Sequence, residues 1–450
     1  MVKDMTDGKP YKLILAFCIP LMFGNLFQQM YNMVDAIIVG RFLGKNALAA
    51  VGSTGAINFL ILGFVNGLCC GFSIPVAQSF GAKDYVSMRR CISNMLWAAL
   101  IFGSVITLGT VLFTREILML MQTPEDILED AYQYIFTIFA GTFTIFLYNS
   151  LAGIMRALGD SKTPLFFLAL ASILNILLDL FFIIVMKLGV FGAALATILS
   201  QFISGICCLV FMIKKMPIIH IQKGEWSWDK TSIQRLLGMG VPMGLQYSIT
   251  AIGSTILQTA VNTLGSDIVA SITAAGKVQT LVTQPMETLG TTMATYCGQN
   301  LGAKKYDRIR SGVLQGDILG VVFSVLGFII VYFLGTTLSL LFIDASEVQL
   351  LSNIHQFLFW NGLFYIPLTI ILVYRNALQG MGYAPLAMTS GVMEMIARSL
   401  VAFCMVGLWG FNAVCFSNPI AWVSADVFLL PTYYAISKRL RNRQSIVKNL

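Results

Sequence analysis

The chain has 450 residues, 57% of them hydrophobic and only 11% charged, with a net charge of +8 and a mean hydropathy of +0.79. That balance excludes a soluble enzyme and describes a polytopic helical membrane protein. The basic excess does not mark a nucleic-acid surface, because Lys and Arg fall in short segments between apolar runs, as the positive-inside bias requires.

Apolar windows predict an all-α membrane protein of twelve transmembrane spans. In chain order they cover 12–40, 47–80, 88–113, 128–155, 163–186, 190–213, 233–263, 268–300, 309–336, 350–378, 384–408 and 411–436. Residues 214–232 are the one long polar linker, expected on the cytoplasmic side. It separates a first lobe (1–213, spans 1–6) from a second (233–450, spans 7–12). Trp226 and Trp228 lie among its lysines, which suits either an interfacial anchor or, more simply, a tether. The opening MVKDMTDGKPYK runs straight into an apolar helix, so the first span is expected to be uncleaved. The nine cysteines fall in or at the ends of apolar segments, and the two histidines, His220 and His355, are far apart. No disulfide framework, Cys/His metal spacing or nucleophile–base pair follows, so neither an enzyme nor a bound cofactor is expected.

The lobes repeat each other. A shift of 221 places Gly44 on Gly265, Gln78 on Gln299 and Gly81-Ala82-Lys83 on Gly302-Ala303-Lys304. It also places Tyr85 on Tyr306, Arg89 on Arg310, Gly141 on Gly362, Gly159 on Gly380 and Pro164 on Pro385. Pro20 and Pro242 match with one residue of slip. Six spans per repeat is even, so both lobes enter the membrane from the same side as parallel repeats. With the N-terminus inside, 23 of the 29 Lys and Arg lie on inside segments. Four (Arg41, Lys45, Arg115, Lys187) lie outside and two (Lys277, Arg398) within spans. Both termini are therefore expected in the cytoplasm.

Span 5 carries the sharpest local signal. Its apolar run Thr163–Met186, 24 residues and about 36 Å of helix, holds one ionisable residue, Asp179, with Asn175 one turn below on the same face. A carboxylate at membrane depth is costly and marks an ion or proton pathway, unless neighbouring hydroxyls merely cap it to hold helices together. Helix rise places Asp35 of span 1, Tyr134 of span 4 and Thr197 of span 6 at a similar level, roughly 8–12 Å from the outer edge. Asn149 sits nearer the inner end of span 4 and joins the group less directly. Two carboxylates in low dielectric repel unless a cation joins them, and Asn175, Thr197 and Tyr134 add neutral oxygens. If the cation is Na⁺, Asp35, Asn175, Asp179 and Thr197 are the expected ligands. Pro20, on the helix that carries Asp35, frees the carbonyl of Ala16 and permits a hinge.

The second lobe lacks this set: at the same shift Asp35 becomes Ile256, Asn175 becomes Ile396 and Asp179 becomes Leu400. Its own charges are Lys277 and Glu287 in span 8, Asp317 in span 9, Glu394 and Arg398 in span 11, and Asp426 in span 12. Glu394 and Arg398, four apart, are expected to pair. Lys277, Glu287 and Asp426 either line a substrate cavity or form an internal ion-pair network.

These stretches resemble the multidrug and toxic compound extrusion (MATE) family over essentially the whole chain. The matching segments are Pro20, Asn32-Met-Val-Asp35 to Gly44, Gln78 to Lys83 with its twin Gln299 to Lys304, and Arg156 to Pro164 with its counterpart Leu378 to Pro385. The resemblance implies two six-helix lobes around a central cavity, and alternating access driven by H⁺ or Na⁺. It also implies the branch whose coupling site lies in the first lobe, here Asp35, Tyr134, Asn149, Asn175, Asp179 and Thr197. Spans 7 and 10 hold no Asp or Glu within their cores, which departs from the branch coupled through span 7. The expected function is a cation-coupled antiporter of the cell membrane, monomeric, exporting small amphiphilic or cationic compounds. A lipid-linked oligosaccharide flippase of the same superfamily is the alternative.

Overall fold

A computed structural model of the chain describes residues 3–448, with side chains to residue 442. The described residues are mostly helical, with no strand among them. Backbone polar groups have no water to bond in a bilayer, so each segment must satisfy them within itself, and helices do so. Eight helices are long and apolar enough to span on their own, and two more spans are bent pairs. The long helices Lys230–Asn262 and Ser266–Gly302, in the seventh and eighth positions, complete twelve.

The bent pairs are spans 4 and 10, expected above as unbroken. Span 4 breaks between Glu125–Ala140 and Thr142–Ala157 with a 45° bend, and span 10 between Val348–Leu363 and Tyr365–Gly380 with a 51° bend. At the first break Gly141 lies so close to Ile198 that a Cβ there would come within 2.1 Å of the Ile198 side chain. These breaks correct the repeat register. Ala140 ends its half-helix where Leu363 does, so spans 4 and 10 align at an offset of 223 rather than 221. Phe364, not Gly362, is then the counterpart of Gly141. Likewise Gly159, at φ +78°, corresponds to Gly382, at φ +91°, rather than to Gly380.

Packing divides the chain into two units, and the division differs from the lobes read off the repeat. One comprises Met1–Asp4 and Ile19–Gly244, the other Met5–Cys18 and Leu245–Leu450. The helices Pro10–Leu43 and Lys230–Asn262 each begin in one unit and end in the other, and Pro20 and Pro242 fall within three residues of the two junctions. Hydrogen bonds explain the first transfer. Within the second unit Asn300 Nδ2 donates to Met5 O (3.2 Å), Lys305 Nζ to Thr6 O (2.7 Å) and Gln315 Oε1 accepts from Tyr11 N (2.8 Å). Close backbone approach explains the other. In the first unit a Cβ on Gly71 would fall 2.5 Å from Gly240 Cα, and one on Gly67 2.6 Å from Met243 O. Gly67 with Gly71, and Gly240 with Gly244, are small-xxx-small pairs that let two helices touch along their backbones.

The linker is docked, which overturns the tether reading. Its Glu225 carboxylate accepts Arg89 Nε at 2.7 Å and Nη2 at 2.8 Å, in a fork. Ser93 Oγ donates to Glu225 O (2.6 Å), Asn94 Oδ1 accepts from Asp229 N (3.0 Å) and Trp97 Nε1 donates to Trp226 O (3.1 Å). A polar face at the start of span 3 therefore holds residues 225–229, while the rings of Trp226 and Trp228 stay exposed. Asp229 then caps the next helix by accepting from Ser232 N at 2.8 Å.

Two predictions follow from this packing. Gly71→Leu should destabilise the protein by about 1–3 kcal/mol through overpacking. Gly109→Ala, with nothing within 4 Å of its added carbon, should be neutral; thermal unfolding in detergent compares them. The Arg89 guanidinium holds the Glu225 carboxyl below its ordinary value, so the docking energy is present above that value and lost as pH falls through the lowered one. Hydrogen-exchange protection of residues 222–229 should thus persist into mild acid, below about pH 4.3, before it fails. Glu225→Ala should remove about 1.5–3 kcal/mol of that protection at neutral pH.

Candidate cation site in the first unit

Three helices of the first unit each present a pair of polar residues four apart: Tyr31 and Asp35, Asn175 and Asp179, Thr197 and Gln201. Four-residue spacing puts each pair on one helix face. Asp35 lies eight residues before Leu43, Asp179 six before Val185, Thr197 eight after Gly189 and Tyr134 nine after Glu125. At about 1.5 Å per residue these depths are roughly 9–14 Å from the same ends of their spans.

The side chains meet. The carboxyl groups of Asp35 and Asp179 lie within hydrogen-bonding reach of each other. Asn175 sits between Asp179 and Thr197. With its amide NH₂ 3.3 Å from Asp179 Oδ2, its oxygen faces Thr197 Oγ1 at 3.3 Å. Asp179 is fully buried and Asn175 is 1% exposed. Tyr31 lies near Gln28 and Gln201 and feels the charge of both carboxyls, as does buried Tyr134. Around them stands an apolar wall that includes Val34, Ile38, Ile135, Ile176, Leu180 and Ile198. One oxygen of each carboxyl, Oδ1, is buried with no protein partner.

That arrangement has a definite chemistry. Two carboxylates cannot touch in low dielectric unless a proton or a small cation lies between them. The unpartnered oxygens leave acceptor capacity for such a ligand, and the Asn175 and Thr197 oxygens supply further donors of the kind hard cations take. Asp35, Tyr134, Asn175, Asp179 and Thr197 come together as expected. Asn149 does not join them through any hydrogen bond of its own side chain, whose Nδ2 donates to Ile145 O (2.9 Å), one turn back on its helix. Tyr31, Gln28 and Gln201 were not anticipated, although Tyr31 sits one turn from Asp35 and Gln201 one turn from Thr197.

Asp179 is the penultimate residue of the α-helix Lys162–Leu180, and the five residues after Leu180, Phe181–Val185, form a π-helical turn. Such turns often accompany functional sites. Here the second unit repeats it at Val401–Met405, where the residue two before the turn is Ser399. The turn is thus a property of the repeat, and the carboxyl an addition to one copy.

The second unit holds a different polar set. Glu394 accepts from Arg375 Nη1 at 3.0 Å and pairs with Arg398 Nη2 at 3.4 Å, so the expected i,i+4 pair exists but is shared. Arg375, counted with the inside charges by sequence, is thereby tied to span 11. Lys277 is exposed with its Nζ 5.1 Å from the centre of the Phe342 ring, a cation–π contact rather than a bond to Glu287 or Asp426. Glu287 is exposed, with Arg375 the charge that acts on it. Asp426 is buried.

Comparison with known proteins accords with the fold. The sequence profile of the MatE family matches residues 20–181 and 242–404, once in each half. The chain is 29% identical over 402 residues, 89% of this chain and 87% of its relative, to "Probable multidrug resistance protein YpnP" of Bacillus subtilis (strain 168). It is 25% identical over 404 residues, 88% and 85%, to "Probable multidrug resistance protein NorM" of Thermotoga maritima. A crystal structure of MATE in complex with MaL6 superposes with a TM-score of 0.90 at 24% identity, covering 98% of this chain and 99% of that one. Two six-span repeats, each matched by the same profile over most of its length, establish that the chain belongs to the MatE family of membrane transporters.

Proposed function

We propose that the protein is a cation-coupled antiporter of the cell membrane that exports small amphiphilic or cationic compounds by alternating access. The observation that carries this reading is the contact between the Asp35 and Asp179 carboxyls, each with an unpartnered buried oxygen. The names of the relatives support a multidrug substrate range. With both termini cytoplasmic, as the loop charges favour, the pair lies toward the external side and takes its cation from there. Inward movement of one charge supplies about 2.3 kcal/mol per 100 mV. Because the carboxyls touch directly, the proton is the better fit, and Na⁺ would have to part them. Loading and unloading this pair changes the charge on the helix that contains Pro20, a proline two residues past the point where that helix changes unit. A bend at that proline is the proposed link between cation and access.

Dye efflux from proteoliposomes under an imposed pH gradient, then under an imposed Na⁺ gradient, tests the coupling. Efflux should follow the pH gradient, and no response to either gradient would sink the antiporter and favour the flippase. Asp35→Asn and Asp179→Asn should each reduce gradient-driven efflux to background while leaving thermal unfolding near that of the parent protein. Full activity in both variants would remove the site. Asn149→Ala, whose side chain makes its hydrogen bond within its own helix, should retain most of the activity.

A further inference from the structure

One cavity of the second unit occupies a place that the first unit fills. It has a volume of about 580 Å³ and lies between the start of the helix Tyr306–Ser339, the turn at Met381 and the last helix beyond Tyr433. Ile309, Met381, Tyr433, Ser437 and Leu440 are among the residues that line it. At the repeat shift of 221, and 223 for Met381, their counterparts are Met88, Leu158, Met212, Met216 and Ile219. Those five belong to one buried apolar cluster of the first unit. What is packed core in one copy of the repeat is therefore space in the other.

The contrast extends to charge. In the first unit the chain leaves its helix at Lys215, turns at Pro217 and returns to place Glu225 on Arg89, at 2.7 and 2.8 Å. Arg310, the counterpart of Arg89, lines the cavity. There the last helix runs on from Phe411 to Lys448, so no described segment turns back to supply a carboxylate. Lys438 and Arg441 join Arg310 on the lining, and Asp307 is the carboxylate among them. The ion pairs of the described residues are Arg89–Glu225, Arg375–Glu394 and Arg398–Glu394, and none of the three lining cations takes part in one. Tyr434 and Lys438, four apart, share a helix face, as do Ser437 and Arg441. We propose that this cavity holds a phosphate group, bound by Arg310, Lys438 and Arg441, as the external equivalent of the anion that Glu225 provides in the first unit. Guanidinium and ammonium groups bind phosphate oxygens through charge-assisted hydrogen bonds. The phosphate is carried by an anionic lipid headgroup or is free in solution. The Tyr434 ring, exposed on the lining, favours lipid, because tyrosines settle at headgroup depth and basic pockets between spans accept such headgroups. In the orientation proposed above this end is cytoplasmic. The site stands whether or not Asp35 and Asp179 couple a cation.

Titration of the full chain, purified in detergent, with short-chain phosphatidylglycerol, short-chain phosphatidylcholine and inorganic phosphate at constant ionic strength tests the assignment. Phosphatidylglycerol should bind more tightly than phosphatidylcholine, whose own choline already offsets its phosphate. Arg310→Gln, Lys438→Gln and Arg441→Gln, all at exposed positions, should each weaken binding about fivefold, the loss of one cation facing an anionic headgroup. Arg439→Gln removes an exposed cation of the same helix that does not line the cavity, and should bind as the parent does. Inorganic phosphate that binds with the same losses and displaces the lipid makes free phosphate the occupant; failure to displace makes it the headgroup, and either result keeps the site. Equal binding of the two lipids with no binding of inorganic phosphate would overturn the proposal. So would anion binding that Arg439→Gln weakens as much as Arg310→Gln does.

Discussion

A carboxyl group inside an apolar wall is the constraint on which this structure turns. Burying one charge without a partner is so unfavourable that a protein either neutralises it or gives it a cation. In the first unit Asp35 and Asp179 touch each other and no guanidinium or ammonium. Such a pair is satisfied by a shared proton or a small cation rather than by a basic side chain. In the second unit Glu394 shows the opposite solution, with two arginines fixed on one carboxylate. The described residues thus include a carboxylate held by two arginines and a carboxyl pair held by each other.

The backbone is duplicated but the chemistry is not. Both halves carry the bent fourth span, the π-helical turn at the end of the fifth, and the left-handed lysines Lys83 and Lys304 after the second. These features keep helices packed and turns closed, and every copy of the fold needs them. The Asp35–Asp179 pair lies outside that shared framework, and only one copy carries it. Asp179 and Ser399 precede equivalent turns, and only the first is acidic. Local asymmetry on a symmetric frame is the stronger sign that the buried carboxyls serve a ligand.

Much of this was legible in the sequence. Helix period and apolar length gave the twelve spans, because a chain in lipid has almost no alternative to helix. Helix rise placed Asp35, Tyr134, Asp179 and Thr197 at one level, because depth along a straight helix is arithmetic. What stayed hidden depends on contacts between helices. Tyr31 and Gln201 are ordinary residues until the faces of spans 1 and 6 are known to meet, and 15 tyrosines in the chain offer no reason to choose one. The break at Gly141 falls where Ile198 of a neighbouring helix crowds the chain, which no window of local hydropathy can register. The two-residue change of register went unseen because matched glycines suggested a constant shift. Residues 225–229 looked like a tether since their partners, Arg89, Ser93, Asn94 and Trp97, lie more than a hundred positions away.

The two prolines show how sequence and packing combine. Each removes one backbone hydrogen bond in the middle of a long helix and so lowers the cost of bending there. A bend achieves nothing mechanical if both arms of the helix pack in the same unit, since neighbouring side chains then hold both arms together. Pro20 and Pro242 instead fall within three residues of the points where their helices leave one packed unit for the other. At those points the arms are held by different neighbours: Gln315, Lys305 and Asn300 grip residues 5–11, whereas Leu165 and Leu168 pack on Gly24. Softness is thus located where the two arms have separate anchors, and one of the two softened helices carries Asp35.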